Sequence, residues 1–239
     1  MSAAVRVKKS SIQRLVDWIC QAWRTSVLMP TSIAIPVIGV VGGIGSGKSF
    51  FAQTLANRKN LVIVNADAVG HMLLERPEIR DRIHERFGEG VIAADGNINR
   101  RALGQLVFGV TSEHARAKTD LEAIVHPPLA AELHRQILEA RAAGQAEAII
   151  LDAAILLEAG WRQFCDVVVM VDTPPDQRWQ RVQTTRGWSQ SEFEAREANQ
   201  LSMTEKRAAA DYIVSNVGTE DEVTRQCLQV WNCIMDETL

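Results

Sequence analysis

The sequence predicts an α/β fold: a five-stranded parallel sheet flanked by helices, with an inserted helical sub-domain and a helical lid. Three observations predict it. Five short apolar runs lack any polar alternation, the pattern of strands buried on both faces, and helical segments separate them. The first run ends in the glycine-rich loop "GVVGGIGSGKS", which leads into a helical pattern. Residues 70–145 hold no good strand, so they form a helical block between two strands of the sheet.

The elements follow in order. "IAIPVIGVV" (Ile33 to Val41) is the first strand and "SFFAQTLANR" the helix after the loop. "LVIVNAD" (Leu61 to Asp67) is the second strand. Within the helical block, "PEIRDRIHERFG", "RRALGQLVFG", "EHARAKTDLEAIVH" and "LAAELHRQILEARAAG" each read as one helix, the last closed by Gly144. "AIILDA" (Ala148 to Ala153), "DVVVMVDT" (Asp166 to Thr173) and "DYIVSN" (Asp211 to Asn216) complete the sheet. Residues 176–209 are rich in Arg, Gln and Glu and poor in large apolar side chains; they bury little, which suits a lid. Thr219 and Glu222 have capping-box spacing at the start of the last helix. The expected organisation is an extension over 1–32 and a core over 33–69, 146–175 and 210–239. The sub-domain at 70–145 and the lid at 176–209 are inserted into that core.

Composition narrows the partners. The net charge of −3 gives no global attraction to nucleic acid or to an anionic membrane, so an anion must be held by a local site. No apolar run is long enough to span a membrane. Cys20, Cys165, Cys227 and Cys233 form no CxxC pair, the usage of a cytoplasmic protein with reduced thiols. The extension is basic, with Arg6, Lys8, Lys9, Arg14 and Arg24 against Asp17. Ile12, Leu15, Val16, Ile19 and Trp23 fall at helical spacing there, which fits a surface-docked helix, a weak interfacial helix or a loose tail. The sequence leaves the oligomeric state open.

The loop carries the chemistry. Gly42, Gly47, Lys48 and Ser49 match G-x-x-x-x-G-K-[ST], and the match lies between a strand and a helix as a P-loop must. Glycines let several backbone N–H groups face one point, and the helix N-terminus adds its dipole there. Gly43 to Phe50 (Gly43, Ile44, Gly45, Ser46, Gly47, Lys48, Ser49, Phe50) are therefore the candidate residues for a nucleoside triphosphate, ATP by the resemblance given below. Lys48 reaches the β- and γ-phosphates, and the Ser49 hydroxyl ligates Mg²⁺. Asp152, ending the third strand, is a second candidate for Mg²⁺.

A switch GTPase fits poorly. Asp67 to Gly70 spells DxxG, but it lies too close to Lys48 for a switch loop, and the base-reader near miss "AKTD" lies in a helical pattern. A kinase needs a base and arginines that neutralise the transferring phosphoryl group. Asp67, at a strand end, supplies a carboxylate; Arg181 and Arg186 lie in the lid segment. The Asn216–Gly218 turn is a candidate adenine contact. These residues leave two readings open: a kinase for a small molecule, such as a nucleoside or sugar, and an ATP-binding regulatory protein.

Longer stretches are more specific. "VGGIGSGKS", "NADAVGH", "FGEGVIAADGNINRRALGQLVF", "LEAIVHPPL", "LDAAILLEAGW", "DVVVMVDTPPDQ" and "TEKRAAADYIVSNVG" closely resemble the dephospho-CoA kinase family, over roughly residues 36–235. The resemblance implies ATP- and Mg²⁺-dependent phosphorylation of the ribose 3′-hydroxyl of dephospho-CoA. It implies Asp67 as the base and places His71, Arg100 or Arg101, and His126 at the acceptor. This chain departs from the family pattern in having Asn65 where D-A-D begins, Phe50 after Ser49, and Ala154 in place of a proline. The second lid arginine is expected four residues after Arg181, where Thr185 stands, and Arg186 comes one step later.

Overall fold

The structure, a computed structural model, describes residues 5–6, 35–109 and 111–238. The chain divides into two compact units, residues 1–64 with 139–239 and residues 65–138.

The first unit holds a sheet with strand order β1-β6-β5-β2-β4-β3. These are β1 (Val5–Arg6), β2 (Val37–Val41), β3 (Leu61–Asn65), β4 (Ala148–Asp152), β5 (Val167–Asp172) and β6 (Tyr212–Ser215). The five expected strands are all present. β2 runs parallel to both β4 and β5, and β5 parallel to β6. The sixth strand is new: Val5 and Arg6, from the extension, pair antiparallel with Ile213 and Tyr212 on the edge of β6. The helical reading of Ile12 to Trp23 lies outside the described residues.

Burial follows strand position. β2 and β5 are central, and every residue of β2 is buried. β3 is the opposite edge of the sheet, and Val62 and Ile63 stay exposed. Its run of apolar residues had suggested cover on both faces; an edge strand with high β-propensity reads the same way in sequence.

Helices α1 (Lys48–Ala56) and α9 (Glu220–Thr238) pack on the sheet. Phe51 and Leu55 of α1 and Val223, Cys227, Val230, Trp231 and Ile234 of α9 share one core with Ile38, Val40, Ile150, Val169 and Val214. The expected capping box starts α9: the Glu222 N–H donates to Thr219 Oγ1 at 3.3 Å, and the Thr219 N–H donates to Glu222 Oε2 at 2.8 Å.

The second unit is helical, with α2 (Ala66–Leu73), α3 (Pro77–Phe87), α4 (Arg100–Val107) and most of α5 (Ser112–Ala143). Its core joins Ile79, Ile83, Val91, Leu103, Val107 and Ile124. Two expectations fail here. The second strand stops at Asn65, so Asp67 stands in the first turn of α2 and not at a strand end. "EHARAKTDLEAIVH" and "LAAELHRQILEARAAG" form one helix, α5, that runs through Pro127 and Pro128. Prolines there remove two ladder donors, which argues for a break. Burial of Ile124, Leu129, Leu133 and Ile137 on both sides of the pair holds the helix continuous instead.

Helices α6 (Pro175–Arg186), α7 (Gln190–Glu197) and α8 (Met203–Ala209), in the segment expected to be a lid, precede β6. Gly187, in the left-handed region, ends α6, and Ser189 and Ser202 start the next two helices with full capping boxes.

Candidate functional site

The parallel sheet fixes where the loop sits. β2 ends at Val41 and α1 begins at Lys48, so residues 42–47 turn at the carboxyl edge of a central strand. Gly45 and Gly47 have φ of +75° and +94°, which a residue with Cβ adopts only under strain. A side chain at Gly47 would also run into the Asn216 amide, and one at Gly43 into the Arg178 guanidinium.

Polar contacts pin the loop from outside. The Ser46 carbonyl accepts from Thr173 Oγ1 at 2.8 Å and from the Asn216 side-chain amide at 2.7 Å. Arg181 donates to the carbonyls of Gly45 at 3.5 Å and Ser46 at 3.4 Å, and to that of Asn216 at 3.2 Å. Lys48 Nζ donates to the carbonyls of Gly42 and Gly43 at 3.2 and 3.3 Å. These contacts fix the loop backbone, together with the Ser46 N–H, which donates to the Gly43 carbonyl at 3.1 Å, and a fixed turn at a helix N-terminus suits an anion. Ser46 itself is buried, and Ser49 is exposed in the first turn of α1.

Two expected cations differ. Arg181 lies against the loop, whereas Arg186 is the last residue of α6 and stacks over the Trp188 ring at 4.9 Å, where Arg196 also lies at 4.2 Å. The Asn216 side chain is turned to the loop, and its neighbour Val217 is exposed.

Asp152 ends β4 directly across from Val40, just before the loop begins. With the Ser49 hydroxyl it offers hard oxygen donors at one sheet edge, chemistry that fits Mg²⁺. No cluster of three or more His, Cys, Asp or Glu side chains suited to a metal occurs among the described residues, so such an ion would take most of its ligands from phosphate and water.

In the second unit, Asn65 caps α2 by accepting from the Ala68 N–H at 2.8 Å. Asn does this as well as Asp, so the departure from D-A-D keeps the cap. Asp67 and His71 are exposed on α2 and, four residues apart, share one helix face. Asp67 also gains from the N-terminal dipole. Arg100 and Arg101 open α4, both exposed, with Asn99 capping the helix through the Ala102 N–H at 3.1 Å. Arg100 lies 3.8 Å from the Glu75 carboxylate and lines a cavity of about 260 Å³ with Leu74, Glu75, Asn97 and Ile98. His126 is half-buried in α5 before Pro127.

Sequence reasoning missed Arg178, Thr173 and Lys206. Arg178 and Lys206 are each 2% exposed, although charged. Lys206 Nζ pairs with Glu158 at 3.3 Å and donates to Gln200 at 2.8 Å. Arg178 had a readable signal: three residues before Arg181, it lies on the same face of α6.

The chain is similar over most of its length to known proteins. A family model described as dephospho-CoA kinase matches residues 36–222. A dephospho-CoA kinase of Symbiobacterium thermophilum is 37% identical over 82% of this chain and 80% of its own. One of Methylococcus capsulatus is 38% identical over 78% of this chain and 92% of its own. A crystal structure from Thermus thermophilus has a TM-score of 0.70 at 30% identity, covering 84% of this chain and 97% of that one.

Proposed function

The chain belongs to the dephospho-CoA kinase family and phosphorylates dephospho-CoA with ATP, and from that premise we propose which residues do the work and where the phosphoryl group goes. The acceptor is the ribose 3′-hydroxyl. The loop from Gly43 to Phe50 cradles the β- and γ-phosphates, with Lys48 tracking charge as it develops. Arg181 neutralises the transferring group from the lid side, with Arg186 as a second, looser cation. Ser49 and Asp152 hold Mg²⁺, which draws charge from the phosphate oxygens when bound. Asp67 orients the hydroxyl and accepts its proton. His71, Arg100, Arg101 and His126 bind the acceptor.

The observation that carries this reading is the convergence of Lys48 and Arg181 on one loop: Lys48 bonds the carbonyls of Gly42 and Gly43, and Arg181 those of Gly45 and Ser46. Two cations at a P-loop suit phosphoryl transfer to a bound acceptor. No described helix is long and apolar enough to cross a membrane, and Cys165, Cys227 and Cys233 are free thiols. We place the reaction in the cytoplasm, with a small-molecule acceptor and no nucleic acid.

A coupled assay of ADP release tests the reading with dephospho-CoA, with nucleosides or sugars, and with no acceptor. Release only with dephospho-CoA, and a product whose new phosphate sits on the 3′-oxygen by phosphorus NMR, is expected. Faster release with a nucleoside or sugar, or a phosphate on another oxygen, overturns it.

A further inference from the structure

Arg178 is the most deeply buried guanidinium near the loop, and the kinase chemistry above does not use it. It projects from α6 between three segments. Its Nε donates to the Thr173 carbonyl at 3.1 Å, and Nη1 donates to the Ile44 carbonyl of the phosphate loop at 3.4 Å. The same Nη1 forms an ion pair with Glu197, the last residue of α7. The guanidinium also lies over the Phe193 ring at 5.7 Å, one turn earlier on α7. Gly43 lets it approach, since a side chain there would occupy its place. A cavity of about 100 Å³, lined in part by Gly43, Glu197, Gln200 and Lys206, adjoins the pair.

We infer that Arg178 is a positioning residue, and that its pair with Glu197 ties the phosphate loop at Ile44 to lid helix α7. A buried ion pair rarely adds net stability over an apolar pair of the same size. It does fix geometry, because a planar guanidinium satisfies several acceptors only in one orientation. Here those acceptors belong to the end of β5, the loop and the lid. Loss of Arg178 frees the Ile44 carbonyl, and the loop then visits conformations with fewer N–H groups facing the phosphates. Loss of Glu197 leaves Arg178 bound to the loop but detaches α7. ATP affinity therefore depends on Arg178, and dephospho-CoA affinity does not.

This inference rests on the loop being the ATP site, and Lys48→Ala, run alongside, tests that premise separately. The experiment measures KM for ATP, KM for dephospho-CoA, kcat and Tm for Arg178→Met, Arg178→Lys, Glu197→Gln and the double variant Arg178→Met/Glu197→Leu. Arg178→Met raises the ATP KM about ten- to a hundredfold, the range for losing a hydrogen bond from a charged donor, and leaves the dephospho-CoA KM unchanged. Arg178→Lys recovers part of this, because an ammonium reaches one acceptor but not the fork of them. The apolar double variant recovers Tm yet keeps the raised ATP KM. If ATP KM returns with Tm in the double variant, Arg178 is only a packing residue and the inference fails. A wild-type ATP KM in Arg178→Met overturns it as well, and so does an equal rise in both KM values. Should the double variant not fold, Arg178→Lys decides: a Tm restored with an ATP KM still well above wild type supports the tie, and full recovery of both removes it. Unchanged turnover in Lys48→Ala would instead displace the ATP site.

Discussion

The phosphate loop is held by side chains from three other segments, Thr173 after β5, Arg178 and Arg181 on α6, and Asn216 after β6. Asp67, His71, Arg100 and Arg101 instead stand exposed on the helix surfaces of the other unit. The difference is physical. A loop whose backbone binds an anion must be rigid before the anion arrives, so its carbonyls are tied down and its glycines locked. A residue that meets a substrate through its side chain needs only a fixed Cα, which a capped helix supplies. The Asn65 cap of α2 and the Asn99 cap of α4 fix the backbone at Asp67 and Arg100, the residues proposed to meet the acceptor. Substitutions at these positions of the second unit should therefore, on the proposed reading, change chemistry with little change in stability. Around the loop the two effects should travel together.

The largest effect is expected at Asp67. Asp67→Asn removes the proposed proton acceptor and keeps the shape, so kcat should fall on the order of 10²–10⁴. ATP KM and Tm stay near wild type, because the side chain is exposed. A Mg²⁺ titration separates the metal alternative: if excess Mg²⁺ restores turnover, Asp67 holds metal and the base is elsewhere. A lowered Tm with unchanged kcat would make it a structural residue of α2. Lys48→Ala follows, with kcat lower by roughly 10²–10³. Its ammonium bonds two loop carbonyls, so a drop in Tm should accompany the loss of rate, unlike Asp67→Asn.

Arg181 and Arg186 of α6 split the comparison further. Arg181→Ala should lower kcat about ten- to a hundredfold and also destabilise the loop, since three carbonyls lose a charged donor. Arg186→Ala should do less. Its guanidinium stacks on Trp188, and it should slow transfer severalfold at most while Tm holds, because an exposed cation–π contact is worth only about 0.5–1 kcal/mol. Steady-state rates and melting curves on both variants check this; equal losses at the two positions would show that the register shift does not matter.

What the sequence carried and what it did not divide along the same line. Local patterns were readable. The apolar runs of the strands, the G-x-x-x-x-G-K-S loop and the Thr219–Glu222 capping box each depend on neighbours a few residues apart. The contacts that hold the loop were not. Ser46 meets Thr173 and Asn216 across more than a hundred residues of chain, and no spacing rule encodes that approach. The end of β3 was misplaced because "NAD" continues an apolar strand and also starts a capped helix; the cap won. The single helix through Pro127–Pro128 was missed because proline usually marks a break, and only burial on both sides of the pair overrides it.

The smallest effect tests whether the charge of one carboxylate, Glu132, stabilises the second unit. Glu132, on α5, is largely buried, with 11% of its side chain exposed. Its carboxylate accepts from Arg135 at 2.6 Å and from Gln136 at 3.0 Å, and Arg76 of the preceding α3 boundary lies 3.4 Å away. The Arg135 hydrogen bond first, then the Gln136 one, hold its pKa at about 2, below the ordinary 4.5. A carboxylate depressed in the folded state stabilises the protein above its unfolded pKa, and that stability disappears as pH falls through the folded value. The window is therefore from about 4.5 down to about 2. Glu132→Gln keeps the shape and removes the charge, and it should cost about 1 kcal/mol at neutral pH, modest because Arg135 and Arg76 are half-exposed. The gap in Tm between wild type and Glu132→Gln should be constant from pH 7 to 5 and close steadily below 4.5. Kinase rates at neutral pH should be the same in both. A gap that does not change with pH would mean that Glu132 acts through shape and hydrogen bonding alone, and the second unit would then hold together without this charge.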